Sequence, residues 1–223
     1  MLKDKGILSP IQKEFLLFFS SLPDQERFYL TGGTALAAFY LGHRRSYDLD
    51  LFTSEENLVL PFSRNLEGKL KEKGWNGRVT KRFSSYVEFL VEKEGQQLRI
   101  DLAQDSPYRL EEVNLSEFGV YINSYKDIAA EKVLAYYGRW EPRDAVDLYF
   151  LMRKEKVYDL LSWAKEKDPG FDLYWFAIAL QRIEDFPDEA ASWPVEVLLP
   201  WDPLELKEIF RKEKIKIMLK LFA

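Results

Sequence analysis

Apolar residues recur at helical spacing over residues 9–22, where Ile11, Phe15, Phe18, Phe19 and Leu22 share one face. Ser9 supplies an N-cap hydroxyl and Pro10 suits the first helical position, so a helix opens there and stops before Pro23. Residues 28–31 are short and aromatic-rich and run into Gly32-Gly33, the pattern of a strand entering a tight turn, and the Ala-rich residues 34–41 predict a helix. Residues 47–53 alternate, with Asp48 and Asp50 on one side and Leu49 and Leu51 on the other, which predicts a strand with one wet face. An amphipathic helix follows over 58–73, with Pro61 tolerated in its first turn. Residues 82–91 and 97–103 read as two strands joined around Lys93-Glu94-Gly95, at a spacing that suits a hairpin.

Beyond Asn123 the pattern is helical throughout. A helix over 127–137 is expected to close at Gly138, and a second, with Pro142 in its first turn, to run to about Lys154. Three more helices are expected over 157–165, 173–183 and 204–219, separated by Asp-Pro, Phe-Pro and Trp-Pro breaks. Strands mixed with helices and then helices alone give an α/β (α+β) chain with two domains, a mixed sheet-and-helix one over residues 1–125 and a helical one over 126–223. Tyr158, Trp163, Phe171, Tyr174, Trp175 and Phe176 fall at helical spacing and are expected to pack against the first domain. Lys207, Arg211, Lys212, Lys214, Lys216 and Lys220 make the last helix basic, either as a solvated face or as a contact for an RNA backbone.

Composition narrows the classes. Of the residues, 47% are hydrophobic and 31% charged, enough for a real core under a well-solvated surface. A net charge of −5 argues against holding nucleic acid by bulk charge alone. With no cysteine and a single histidine, His43, disulfides, thiolate sites and multi-histidine metal sites are excluded. No segment approaches a membrane span or a leader's apolar core, so a soluble, cytoplasmic protein is expected.

The chemistry concentrates between Leu30 and Phe52. Gly32 and Gly33 lack Cβ atoms, so a phosphate can approach the backbone at a helix start, and Thr34 adds a hydroxyl; the plain alternative is a tight connection. Asp48 and Asp50, two apart on a strand, leave the same face roughly 6–7 Å apart, so their charges repel and call for a cation. Mg²⁺ fits, being a hard ion that takes carboxylate and phosphate oxygens together. Asp is disfavoured in strands and the neighbouring leucines mark this one as buried, which weighs against a merely solvated face. Gln97, Arg99 and Asp101 share the wet face of another strand; if it adjoins the first, Asp101 joins the metal ligands or serves as base, and otherwise it pairs with Arg99 or a lysine.

Arg44 and Arg45 lie between the glycines and Asp48, where a basic loop would neutralise triphosphate or a nucleic-acid acceptor, or an arginine would pair with a site carboxylate. His43 reads as an orienting hydrogen-bond donor. Lys132, amid Ala129, Val133 and Tyr136, is expected to pack its stem and send its ammonium outward. Asp144 and Asp147 share a helix face, and Asp144 also fits compensation of the helix dipole.

Taken together, Gly32-Gly33-Thr34, His43-Arg44-Arg45-Ser46, Asp48-Leu49-Asp50-Leu51-Phe52, Asp101, Lys132 and Arg143-Asp144-Ala145-Val146-Asp147-Leu148-Tyr149 resemble the AbiEii/AbiGii toxin family, within the DNA polymerase beta-like nucleotidyltransferase superfamily. That resemblance covers residues 28–151 by motif. It implies a nucleotidyltransferase-fold mixed sheet flanked by helices, with a helical domain that completes the nucleotide site. It makes Asp48 and Asp50 Mg²⁺ ligands, Gly33 and Thr34 binders of the triphosphate tail, Lys132 a nucleotide-phosphate contact and Asp144 an essential acid. Where the superfamily commonly has Gly-Ser, this chain has Gly32-Gly33, which leaves Thr34 to supply the hydroxyl. The activity implied is transfer of a nucleotide from an NTP, in some members to the acceptor end of tRNA, by a toxin with a cognate antitoxin. The same residues also fit a transferase that modifies a protein or small molecule, or a binding subunit that kept the fold and lost turnover.

Overall fold

The computed structural model describes residues 1–222. The chain divides into two compact units, the first of Met1–Gly42 and Ser46–Ser124, the second of His43–Arg45 and the chain from Tyr125 onward.

In the first unit, α1 (Pro10–Phe19) opens on a reciprocal cap: Gln12 N–H donates to Ser9 Oγ at 3.4 Å, and Ser9 N–H donates to Gln12 Oε1 at 2.9 Å. β1 (Tyr29–Thr31) leads straight into α2 (Gly32–Ala35), which widens into a π-helical segment, Leu36–Leu41. The helix therefore starts at the glycines rather than at Thr34. It stops at Gly42, whose φ of +70° suits a residue without Cβ and whose N–H reaches Ala37 C=O at 2.8 Å. Next come β2 (Leu49–Thr53), α3 (Val59–Glu72), β3 (Asn76–Arg82), β4 (Tyr86–Lys93), β5 (Gln96–Gln104), β6 (Asn114–Leu115) and β7 (Tyr121–Ile122).

The seven strands form one mixed sheet in the order β3-β4-β5-β2-β1-β7-β6. β2 runs antiparallel to β1 and parallel to β5, which sets the catalytic candidates side by side. The strand expected over 82–91 needs correction: it is β4, which starts only at Tyr86, and an unforeseen strand, β3, precedes it and ends at Arg82, with a turn at residues 83–85 between them. β3 escapes a hydrophobic reading because it is an edge strand whose lone apolar residue is Val79, and edges of this kind are kept polar and charged. β4 and β5 meet at a two-residue loop, where Glu94 (φ +52°) and Gly95 (φ +77°) take the left-handed conformations of a tight hairpin turn.

One face of the sheet is dry. Val87, Phe89, Val91, Ile100 and Leu102 are fully buried there, with α1 and α3 packed on that side. Phe15, Phe19, Phe28, Phe62 and Trp75 form a ring cluster beneath it, with centroids 4.3–6.2 Å apart for neighbouring pairs. Each such side chain contributes about 1.5–3 kcal/mol by leaving water. The pleat sends the alternate residues, Glu88, Arg99 and Asp101 among them, to the other face.

The second unit contains α4 (Tyr125–Arg139), α5 (Pro142–Lys154), α6 (Val157–Lys167), α7 (Leu173–Gln181) and α8 (Pro203–Phe222). α4 does not stop at Gly138. It continues to Arg139, and the left-handed residue is Trp140 at φ +37°, its ring covered by the Arg182 guanidinium 3.8 Å from the centroid. The aromatic expectation also needs correction. Phe171 and Phe176 are buried and Phe171 meets Tyr137 edge-on, but Tyr158, Tyr174 and Trp175 are 41%, 39% and 59% exposed. A helix of nine residues has too narrow a buried stripe to take every ring at positions 174–176. The basic residues of α8 each find a partner within the unit: Lys207 with Asp188, Arg211 with Glu184, Lys212 with Glu208, Lys214 with Gln181, Lys216 with Glu213, and Lys220 over the Tyr158 ring. Among the described residues no helix is long and apolar enough to cross a membrane.

Candidate active site

In the first unit the register of the sheet assembles an acidic row. Thr31 of β1, Asp50 of β2, Asp101 of β5 and Glu88 of β4 are successive cross-strand partners, so their side chains leave one face. Asp48 lies just ahead of β2, two residues from Asp50, and its carboxylate accepts from the Arg99 guanidinium at 2.5 Å. The same nitrogen stands 3.7 Å from Asp101. Burial alone would lower the affinity of Arg99 for its proton; Asp48, Asp101, Asp50 and Glu88, in that order, outweigh burial and raise it. Burial pushes the Asp101 carboxyl up, with Glu88 and Asp48 adding to the effect, while Arg99 and a hydrogen bond from Tyr86 oppose it.

Gly32 belongs to this row. Its φ is +69°, and a Cβ built on it would lie 2.0 Å from Asp50 Oδ2, so the carboxylate rests directly on the glycine backbone. Gly33 follows in the first turn of α2. Thr34 is buried, and its hydroxyl donates to the Asp48 carbonyl at 2.5 Å, which ties the start of α2 to the residue before β2 and leaves that proton unavailable to a ligand in this conformation. Gly32→Ala is therefore expected to displace Asp50 and strain the turn by about 1 kcal/mol. Any activity that depends on this acidic row should fall at least roughly a hundredfold while the melting temperature moves only a few degrees. Activity at the parent rate would show that the contact between Gly32 and Asp50 is dispensable.

Among the described residues no three Asp, Glu or His groups stand together as a ready metal cage. The donor chemistry nonetheless fits Mg²⁺. Asp48, Asp50 and Asp101 offer hard carboxylate oxygens on adjoining positions, and Asp101 Oδ1 is buried without a hydrogen-bond partner. A buried, unsatisfied anionic oxygen is costly unless a cation or donor meets it.

The second unit holds the other predicted residues. Asp147 is fully buried and accepts from His43 Nε2 at 2.6 Å and from Arg44 Nε and Nη2 at 2.6 and 2.8 Å; Lys132 Nζ stands 2.8 Å from its other oxygen. Burial would raise the Asp147 carboxyl, but Arg44 and Lys132 overcome it and hold it well below the ordinary range. Lys132 thus turns inward, not outward, because two buried carboxylates wait on α5; its contact with Asp144 is the longer, at 3.5 Å. Asp144 is buried as well and bonds Arg139 at 2.7 and 3.0 Å. Arg44 is 3% exposed, whereas Arg45 is a half-exposed partner of Glu196 at 3.0 Å. His43 has its protonation lowered by burial, so it is neutral, with the proton on Nε2 facing Asp147 and an unpartnered Nδ1.

The structure thus brings the predicted residues together in two groups, one per unit. Two contributors escaped the sequence reading, Glu88 and Tyr86 on the wet face of β4. Asp147, expected only to share a helix face with Asp144, is the hub on which Arg44 and Lys132 converge. A signal for Glu88 existed: once Glu94-Gly95 is taken as a two-residue loop, Lys93 faces Gln96, and counting outward places Glu88 opposite Asp101.

Comparison with known proteins bears on the family and the fold. Residues 15–168 match the family model described as nucleotidyl transferase AbiEii toxin, type IV TA system. An uncharacterised protein of Aquifex aeolicus strain VF5 is 31% identical over 208 residues, covering 92% of this chain and 94% of that protein. Among solved structures, a putative nucleotidyltransferase from H. pylori aligns with a TM-score of 0.59 at 24% identity, over 96% of this chain and 97% of that one. MenT4, a nucleotidyltransferase toxin from Mycobacterium tuberculosis H37Rv, aligns at 0.60 with 16% identity, over 93% and 82% respectively. These two likenesses establish the fold, and the family model, spanning most of the chain, establishes the kinship: the chain is a nucleotidyltransferase and belongs to the AbiEii toxin family.

Proposed function

We propose that this chain transfers a nucleotide from an NTP to the acceptor end of tRNA, acting as the toxin of a pair with a cognate antitoxin. The observation that carries the reading is the pairing of Asp50 with Asp101 beside Gly32, which sets two carboxylates next to a patch of bare backbone. Asp48, Asp50 and Asp101 are the residues that would hold Mg²⁺. Bound there, the ion would supply charge stabilisation for the phosphoryl oxygens and lower the pKa of the attacking hydroxyl. Gly32 and Gly33 leave room for the phosphates to approach the main chain. Asp101 would hold the ion by one oxygen, and its carboxyl, raised by burial, would be suited to take the acceptor's proton at the other. Thr34 positions Asp48 through its carbonyl. Of the basic residues assigned to the nucleotide, Lys132 and Arg44 are both engaged with Asp147, Lys132 at 2.8 Å with a longer approach of 3.5 Å to Asp144, and Arg44 through two hydrogen bonds.

The test is incubation of the purified chain with each α-³²P-labelled NTP, Mg²⁺ and total cell extract, followed by nuclease or protease. Label lost to nuclease and retained after protease is the expected result, in a band of tRNA size. Label lost to protease would replace tRNA with a protein acceptor. Absence of label with every NTP would overturn the reading as a whole.

A further inference from the structure

Arg99 is placed where two cations would have to compete. Its guanidinium donates to Asp48 Oδ2 at 2.5 Å and stands 3.7 Å from Asp101 Oδ2, so it spans two of the three carboxylates to which the preceding reading assigns the divalent ion. The geometry is set by the sheet: Leu49 pairs with Ile100, which puts Arg99 across from Asp48, and Arg99 shares the strand face of Asp101 two residues on. The pairing is not a deep structural one. The Arg99 side chain is 40% exposed, its Nε is buried and unpartnered, and Asp101 Oδ1 is likewise unmet, so the guanidinium leaves polar atoms unsatisfied at both ends. An ordinary structural arginine pair in this chain looks different: Arg44 meets Asp147 through both Nε and Nη2.

A carboxylate oxygen already in a 2.5 Å charge-assisted hydrogen bond cannot at the same time give its full charge to a dication, and the two cations repel. Resting on the metal assignment made above, we propose that Arg99 is a positioning residue that competes with the divalent ion for Asp48. It keeps the acidic row together when the ion is absent and must yield Asp48 as the ion binds. The site is thereby held at modest metal affinity, and a guanidinium is released beside the ion, where negative charge of an arriving phosphate would favour its departure from Asp48.

The competition is read by Mn²⁺ binding to the full chain, followed by the electron paramagnetic resonance signal of free Mn²⁺ and by calorimetry, with no turnover involved. Arg99→Gln keeps a hydrogen-bonding side chain and removes the charge, and it is expected to tighten Mn²⁺ binding at least about tenfold, the scale of one charge acting at this range even in a water-like dielectric. Arg99→Lys keeps the charge and should stay near the parent value. A second measurement uses heat: without added metal Arg99→Gln should melt below the parent, because the acidic row loses its counter-ion, and Mn²⁺ should raise its melting temperature by more than it raises the parent's. Equal Mn²⁺ affinity in the parent and Arg99→Gln, with binding abolished by Asp50→Asn, would overturn the competition while leaving the metal assignment in place. Equal tightening by Arg99→Gln and Arg99→Lys would overturn it as a charge effect. No Mn²⁺ binding by any variant would overturn the metal assignment and this inference together.

Discussion

Asp50→Asn is expected to lower nucleotidyl transfer by at least about a thousandfold, at or beyond the upper end of what is lost when a single electrostatic stabiliser of transition-state charge is removed. The substitution is nearly isosteric, so its effect isolates the charge. Asp50 lies between Thr31 and Asp101 in the sheet, with its carboxylate against Gly32, and it is the middle member of the acidic row. Removing one of several neighbouring negative charges relieves repulsion, so the melting temperature should stay level or rise. That combination, lost transfer with undiminished stability, is what separates a functional carboxylate from a structural one. A variant that transfers label at the parent rate would remove Asp50 from the site, and with it the reading of the acidic face as the place where chemistry occurs.

The degree to which this site could be read in advance depended on the kind of interaction involved. Alternation in β2 and β5 placed Asp48, Asp50 and Asp101 on wet faces, because a strand with one buried face must alternate. Sequence alone leaves open whether the two strands are neighbours; the pairing of Asp50 with Asp101 is a tertiary fact. Local signals of capping succeeded at Ser9 and failed at Gly138, since a glycine late in a helix ends it only if the following backbone turns there, and here the turn falls at Trp140 under Arg182. β3 was hidden by its polarity, which is the usual state of an edge.

The buried network is the clearest case of what composition and periodicity leave out. A lysine among Ala129, Val133 and Tyr136 is expected to snorkel, because nothing local offers its charge a partner. The partners come from α5, and the hub, Asp147, also gathers His43 and Arg44 from a loop more than a hundred residues earlier. The three residues His43–Arg45 accordingly group with the helical unit although the chain on both sides of them belongs to the first unit. The basic loop thus has a structural task, holding its place in the helical unit through a carboxylate, which residue spacing cannot distinguish from a phosphate contact.

That hub carries the largest expected effect on stability. Asp147→Ala leaves Arg44 and Lys132 buried without their main counter-charge, and breaking a buried ion pair from one side costs about 3–5 kcal/mol. For a chain of this size that corresponds to a fall of about 10 °C in melting temperature. The pH dependence has a definite sign. Folding lowers the His43 pKa from 6.5, chiefly through burial, so below pH 6.5 the unfolded chain takes up a proton that the folded chain refuses. Stability should then decline as the pH falls below 6.5, by up to about 1.4 kcal/mol per pH unit, until the folded value is reached. Asp147 acts further down: its contribution is complete above the ordinary carboxylate value of 3.8 and is lost as the pH drops through a folded value well below that. His43→Gln can still donate to Asp147 and cannot titrate, so urea melts of this variant should lose the decline between pH 6.5 and 5 while keeping the acid limb. Melts of Asp147→Ala within 1 kcal/mol of the parent at pH 7 would mean that Arg44 and Lys132 find other partners, and that the carboxylate is not what holds the loop in the helical unit.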